Sequence, residues 1–388
     1  MNRNLLIALV CMIMMFTLFF SFIFFPRSTI LVNADTDDVK VTAGGMVVIE
    51  QTSKRVLFEK DKDKPIPMAS TTKIMTALIA LEKCEDIDIA FKVDNRAVGI
   101  EGTSIYLKND EWLTMRELLY GLILSSGNDA SMAIAYKIGN GDAQKFVDLM
   151  NAKVEELNLH NTHFDNPHGL DSNTHFTSAY DLAVISAKAM ENETFREISK
   201  TLKKQISSNK QNENRFLRNK HKLLTLFEGC DGIKTGFTDQ ARRCCVTSAK
   251  RDNMRLICIV LNCNDMFEES AELLNRAFDK YKMVEILEPY KFLTSIKVED
   301  GEMESVKLYT EKGFSYPLTE KENEFVTIKQ NMPSILNCPL EKHQEVGNYQ
   351  VYLFNDLLFT EKIYTMEAVR KAGVANKMKD IVEHWYYN

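Results

Sequence analysis

The chain has 388 residues, 45% hydrophobic and 26% charged, with a formal net charge of −6. This composition excludes a disordered or fibrous protein and supplies core for two domains, or for one large domain with an appendage. No basic block stands out, which argues against nucleic acid as the main partner.

At the start, Leu5 to Phe25 are apolar apart from Thr17 and Ser21, with Arg3 ahead and the small-residue site Val32-Asn33-Ala34 behind. The layout predicts an exported protein, with residues 1–34 as a signal peptide cleaved after Ala34 or a retained membrane anchor. A hairpin is predicted over 45–60, where Met46–Ile49 and Arg55–Phe58 flank the turn-like Gln51-Thr52-Ser53-Lys54. A helix follows from Ser70, with Ile74, Met75, Leu78 and Leu81 at helical spacing. Residues 110–160 carry helical periodicity, 158–176 are loop, and helix resumes from Ser178 to about Lys188. The polar stretch 206–222 reads as a charged, mobile segment. Cys244–Ser248 and Leu256–Leu261 then flank Arg251-Asp252-Asn253 as a second hairpin, and Glu269–Tyr281 is an amphipathic helix.

Hairpin, helical insert, hairpin and closing helix predict an α/β (α+β) domain over 35–285, a sheet with helices packed on it. Beyond Glu288-Pro289, short alternating runs predict a small β-rich domain over 286–362. In the tail, 363–388, Val369, Val374, Met378, Ile381, Val382 and Trp385 form a rough helical stripe. It fits a membrane-associating amphipathic helix or a helix docked on the preceding domain. The eight cysteines (Cys11, Cys84, Cys230, Cys244, Cys245, Cys258, Cys263, Cys338) are scattered and contain no C-x-x-C. They read as small buried hydrophobes rather than a disulfide scaffold or a metal site.

Three short motifs carry chemistry. Ser70-Thr71-Thr72-Lys73 places a hydroxyl and an amine one helical turn apart, on one face. A serine hydroxyl needs a base, and Lys73 can serve if burial and a second cation, Lys234, lower its pKa. Ser126-Gly127-Asn128 follows the apolar run Leu118–Leu124, where a helix would end. There Ser126 can relay a proton between Lys73 and the leaving amine, and the Asn128 amide can hold a substrate carbonyl. Lys234-Thr235-Gly236 stands at the start of a predicted strand. Lys234 and Thr235 can bind a carboxylate, and Gly236 lets a substrate backbone approach the strand edge. Each motif alone has an ordinary structural explanation, a helix cap or a turn; their joint occurrence in this order does not.

With these motifs the chain resembles the serine-type D-alanyl-D-alanine carboxypeptidases, the low-molecular-mass penicillin-binding proteins. Pro67-Met68-Ala69, Asp231-Gly232-Ile233, His168-Gly169-Leu170-Asp171 and Ala179-Tyr180-Asp181-Leu182-Ala183 agree with that resemblance. It implies a β-lactamase/transpeptidase-like antiparallel sheet with a helical subdomain. It also implies acylation of Ser70 by peptidoglycan stem peptides with loss of D-Ala, and acylation by β-lactams. Lys73 would act as base, with an oxyanion hole formed by the Ser70 and Phe237 amides; no cofactor or metal would be needed. The enzyme would work at the outer face of the cytoplasmic membrane. Arg242-Arg243 stand where the family has a glycine and an aromatic.

Rival expectations are weaker. A class A β-lactamase needs a glutamate three residues before Leu157-Asn158, and that position is Val154. His160, His163, His168 and His175 invite a zinc site, but no H-E-x-x-H is present. A non-catalytic wall-binding scaffold would not need Ser70, Lys73, Ser126 and Lys234 intact.

Overall fold

The computed structural model describes residues 41–207 and 214–373. The predicted leader, 1–34, lies outside the described residues. Among the described residues no helix is long and apolar enough to cross a membrane.

β1 (Gly45–Glu50) and β2 (Val56–Lys60) form the expected antiparallel hairpin. The Glu50 carboxylate closes its turn, accepting from the Thr52 and Ser53 amides at 3.0 and 2.7 Å. A 3-10 turn, Ala69–Thr72, leads into α1 (Lys73–Lys83). A ribbon of β3 (Ala90–Lys92) and β4 (Trp112–Thr114) comes next. The periodic stretch 110–160 is three helices: α2 (Met115–Leu124), α3 (Asn128–Ile138) and α4 (Ala143–Glu156). They break where the backbone turns left-handed, at Ser126 (φ 64°) and at Asn140-Gly141 (φ 54° and 84°). After the predicted loop come α5 (Ala179–Ala189) and α6 (Glu193–Lys200).

The polar stretch expected to be irregular is instead partly a hairpin of β5 (Lys203–Ser207) and β6 (Asn214–Arg218). Ile206 and Leu217 bury their side chains in the main core, while Phe216 stays exposed. Two buried residues among so many polar ones are too sparse a pattern to read as strands.

α7 (Leu223–Leu226) precedes β7 (Cys230–Thr238), β8 (Arg242–Arg251) and β9 (Met254–Leu261), and α8 (Met266–Lys280) closes the body. The sheet runs β2-β1-β9-β8-β7, antiparallel throughout, with β7 at one edge. Lys234 to Gly236 therefore lie within β7 and not at its start, because pairing with β8 begins at Cys230. The pleat divides the side chains between two cores. Val47, Ile49, Ile257 and Ile259 join the helices α1 to α6; Met46, Val48, Cys258 and Val260 meet Leu273, Leu274 and Phe278 of α8. Cys244, Cys245, Cys258 and Cys263 are buried free thiols, as the sequence predicts.

Only Tyr281 separates α8 from β10 (Lys282–Leu287), so the change of pattern sets in before Glu288 and leaves no linker to read. β11 (Phe292–Glu299), β12 (Ser305–Tyr309), β13 (Phe314–Leu318), α9 (Glu320–Asn323), β14 (Val326–Asn331), β15 (Ile335–Asn337), β16 (Glu345–Leu353) and β17 (Asp356–Thr365) follow. β10 pairs with β13, and the others form a sheet in the order β14-β16-β17-β12-β11-β15. Residues 363–365 of the predicted tail helix belong to β17, and 366–373 are not helical either. Val369 and Leu340 exchange two backbone hydrogen bonds of 2.9 Å, and Val369 is part of this domain's core. The rest of that stripe lies outside the described residues.

One buried cation joins the two bodies. Arg55 reaches from the β1–β2 turn to the Pro317 carbonyl and the Glu322 carboxylate. Its guanidinium lies 5.2 Å from the Tyr281 ring centroid and 5.1 Å from that of Tyr316.

Candidate active site

Ser70 sits in the 3-10 turn and Lys73 opens α1, so the i, i+3 spacing brings them together. Lys73 Nζ donates to Ser70 Oγ at 2.9 Å, to Asn128 Oδ1 at 2.8 Å and to the His168 carbonyl at 2.5 Å. Asn128 Nδ2 donates to the Glu101 carbonyl at 2.6 Å, which fixes the amide with its oxygen toward Lys73. Two of the three partners of Nζ can only accept. A neutral amine therefore spends both hydrogens on Asn128 and His168 and turns its lone pair to the Ser70 hydroxyl. Lys73 is fully buried, and burial pushes its pKa well below the usual lysine value; the charges of Lys234 and then Lys220 push the same way. The arrangement can take a proton from Ser70.

The second motif lies at the break between α2 and α3. Ser126 is buried and held left-handed, with its carbonyl accepting from Thr103 Oγ1 at 2.5 Å. The neighbouring Asp129 is the pin of the facing loop. Its carboxylate accepts from Ser104 Oγ at 2.5 Å and from the Ile105 and Leu107 amides at 3.0 Å. Sequence reasoning passed over Asp129, although an acid in the first turn of a helix is a recognisable signal.

The third motif lies on the edge strand. Lys234 Nζ donates to the Thr235 carbonyl at 2.8 Å, and burial, then Lys220, bring its pKa down to about 7. Gly236 has a different task from the one expected. A Cβ there would stand 2.9 Å from the Ser70 amide nitrogen and 3.0 Å from Ala69 Cβ, so its bareness admits the nucleophile's own turn. Phe237 is 59% exposed beside it. Arg243 pairs with Phe237 across the ladder and Arg242 with Thr238, placing both exposed arginines at the rim.

The loop 158–176 closes the other side. Thr238 Oγ1 donates to Asp171 at 2.8 Å. Gly169, at φ 90°, leaves room that a Cβ would deny, 1.9 Å from the Ala69 carbonyl oxygen. His175 Nδ1 accepts from the Asp165 amide at 3.0 Å, so Nε2 carries the proton and donates to Thr72 Oγ1 at 2.8 Å. Thr72 in turn donates to the Ala69 carbonyl at 2.9 Å. This relay braces the turn that holds Ser70, and the sequence had no signal for it beyond a histidine-rich loop. Burial brings His168 to about 3 and His175 to about 4, so both are neutral at physiological pH. His160 is exposed, and among the described residues no group of three His, Cys, Asp or Glu could hold a metal. Glu155, next to the Val154 that fills the β-lactamase position, is exposed on α4.

This fold and this site define a serine peptidase of mixed α/β architecture with a β-rich C-terminal domain. The D-alanyl-D-alanine carboxypeptidase family profile matches residues 32–265, and the profile of the penicillin-binding protein 5 C-terminal domain matches 281–371. The chain belongs to the D-alanyl-D-alanine carboxypeptidase family. It is 31% identical to the D-alanyl-D-alanine carboxypeptidase DacF of Bacillus subtilis (strain 168), over 90% of this chain and 92% of that one. It is 30% identical to DacA of Escherichia coli (strain K12), over 89% of each. Among solved structures, penicillin-binding protein 5 from Haemophilus influenzae superposes with a TM-score of 0.71 at 28% identity, covering 86% of this chain and 98% of that one. The Streptomyces K15 DD-transpeptidase matches 62% of this chain and 98% of its own, with a TM-score of 0.59 and 30% identity.

Proposed function

We propose that the chain removes the terminal D-Ala from peptidoglycan pentapeptide stems through an acyl-enzyme on Ser70. The observation that carries this reading is the buried Lys73 amine, with two fixed acceptors and Ser70 Oγ at 2.9 Å. A stem peptide lies extended along the free edge of β7, where unpaired backbone groups can add a strand. Lys234 and Thr235 take its terminal carboxylate, and Asn128 orients the amide. Lys73 takes the Ser70 proton as Oγ attacks the penultimate D-Ala carbonyl. The Ser70 and Phe237 amides bear the oxyanion, a contribution of about 3–4 kcal/mol per donor. Ser126 passes the proton to the departing amine, free D-Ala leaves, and water hydrolyses the ester.

A β-lactam presents a carboxylate and a strained amide to the same groups and acylates Ser70. The position at which a class A β-lactamase needs its deacylating glutamate is Val154, so turnover of penicillin is slow. The apolar run Leu5 to Phe25 supports export and a station at the outer face of the cytoplasmic membrane. Fluorescent penicillin tests the reading: the wild type takes up a covalent label, Ser70→Ala takes up none, and release of D-Ala from a pentapeptide follows the label. An unlabelled wild type would remove the enzyme reading and leave a wall-binding scaffold.

A further inference from the structure

The order of groups along β7 gives a bound stem peptide its direction. In the proposed reaction Lys234 and Thr235 hold the terminal carboxylate, and the Phe237 amide faces the scissile carbonyl. The peptide then runs antiparallel to β7, and its upstream residues continue past Thr238 toward the turn that joins β7 to β8. We propose that Arg242, which closes that turn, is a specificity residue for a free carboxylate upstream of the penultimate D-Ala. The proposal deepens the carboxypeptidase reading and rests on it.

Register, backbone and charge single out Arg242. It pairs across the ladder with Thr238, as Cys244 does with Gly236 and Val246 with Lys234. Cross-strand partners share a face of the sheet, so Arg242 stands on the face of Lys234 and Gly236. That face meets the nucleophile, because a Cβ on Gly236 would stand 2.9 Å from the Ser70 amide nitrogen. Arg243 pairs with Phe237 and belongs to the opposite face. Arg242 is also held left-handed, at φ 57°, a conformation that glycine takes freely and arginine does not. A charged side chain thus stands where the backbone alone would favour glycine. Arg242 is exposed, and among the described residues it has no ion-pair partner. Asp239 is the one acid of the turn, and Arg242 and Arg243 outnumber it. The support is braced: Thr238 Oγ1 accepts from the Ala241 amide at 3.0 Å and donates to Asp171 at 2.8 Å.

A stem peptide offers such a carboxylate in two places. An extended peptide advances about 3.3 Å per residue, as a strand does, so each upstream residue moves one position along β7. The diamino residue before the penultimate D-Ala comes abreast of Thr238, and the γ-linked glutamyl residue before that comes over the turn. The glutamyl residue keeps a free α-carboxylate. A diamino residue of the diaminopimelic type keeps a second carboxylate on its side chain. Either one accepts two parallel N–H bonds from a planar guanidinium, a geometry that a lysine ammonium does not offer. A stem amidated at these positions keeps its shape but loses the charge and one of the two acceptor oxygens. Arg242 therefore reads the state of the stem, while Ser70 and its neighbours read the D-alanyl end.

The test measures D-Ala release by the full chain from four diaminopimelyl pentapeptides: both upstream carboxylates free, the glutamyl one amidated, the diaminopimelyl one amidated, and both amidated. The wild type is expected to favour the doubly free stem over the doubly amidated one by about tenfold in kcat/KM. The singly amidated stems report which carboxylate Arg242 receives. Arg242→Gly should bring the ratio of free to amidated stem down to about one, and Arg242→Lys should restore only part of it. Arg243→Ala, on the opposite face, should leave the ratio as it is in the wild type. Glycine suits the left-handed turn, so Arg242→Gly should melt close to the wild type. Equal wild-type rates on free and amidated stems would overturn the proposal. So would a preference that survives in Arg242→Gly or vanishes in Arg243→Ala. Equal release from all four stems removes this inference alone; a wild type that neither releases D-Ala nor takes up penicillin removes the parent reading, and this one with it.

Discussion

Two lysine-bearing regions sit side by side in this molecule and treat positive charge in opposite ways. Around Lys73 the amine meets three acceptors and the side chain is fully buried; burial lowers the pKa, and Lys234 and Lys220 add to the effect. In the groove between the Gly102–Tyr106 loop and the β5–β6 hairpin, Lys203, Arg218 and Lys222 stay exposed, and the described lining holds no acid. A buried ammonium costs several kcal/mol, so the cheaper response is to shed the proton. An exposed one keeps its charge and its hydration, and its field is screened by salt. The same residue type thus serves as a base where it is buried and as a solvated surface charge where it is exposed.

The contrast breaks most visibly at Lys73. Lys73→Met should slow acylation by penicillin by roughly 10²–10⁴, the usual worth of a general base, while the protein melts at least as high as the wild type. A stopped-flow acylation rate and a melting curve check both halves; a large loss of stability would mean that the amine is structural. Acid lability is the next effect in size. His168, His175 and His221 are held at about 3, about 4 and about 4, against 6.5 for the free side chain. Between those values the unfolded chain binds protons that the folded chain refuses. Stability is therefore complete above pH 6.5 and falls as pH drops toward 4, by up to about 3 kcal/mol per histidine. Urea titrations at pH 7 and pH 5 measure the loss, and His175→Gln should flatten part of it.

A smaller effect separates base from neighbour. Acylation needs neutral Lys73, so its rate rises with pH until that amine is deprotonated. Lys220→Ala removes one of the charges that disfavour protonation and should move the acid limb of the profile to higher pH, by less than about one unit. The smallest expected change in activity comes from Arg55→Ala. It should leave the penicillin acylation rate unaltered yet split thermal unfolding into two steps, because it strips a half-buried carboxylate and two rings of their shared cation. Calorimetry reads the splitting, and a matching loss of acylation would show that the domains communicate.

The sequence showed what was local. Ser70 and Lys73 are one turn apart, and the apolar runs of β1 and β9 stand out because both faces of the sheet are buried. The sequence hid what depends on contact between distant segments. Nothing in the loop 158–176 said that the His168 carbonyl would fix the Lys73 amine, or that His175 would brace Ala69 through Thr72. Gly236 was assigned to the substrate, when the space it leaves is taken by the Ser70 turn. The β5–β6 hairpin was invisible because only Ile206 and Leu217 are buried there. The β-rich domain was legible as alternation, but Val369 was given to a helix although its fixed place is in the β-domain core.

The grip of Arg55 on Pro317 and Glu322 lies at the β2 side of the sheet, and Lys234 is on the far border. Four interstrand steps, about 19 Å, separate the two. Tilting or tugging of the appended module is thus absorbed at one margin while the reactive margin keeps its geometry. An enzyme that works on a stiff, strained polymer can then let its body sway without losing the aim of its hydroxyl.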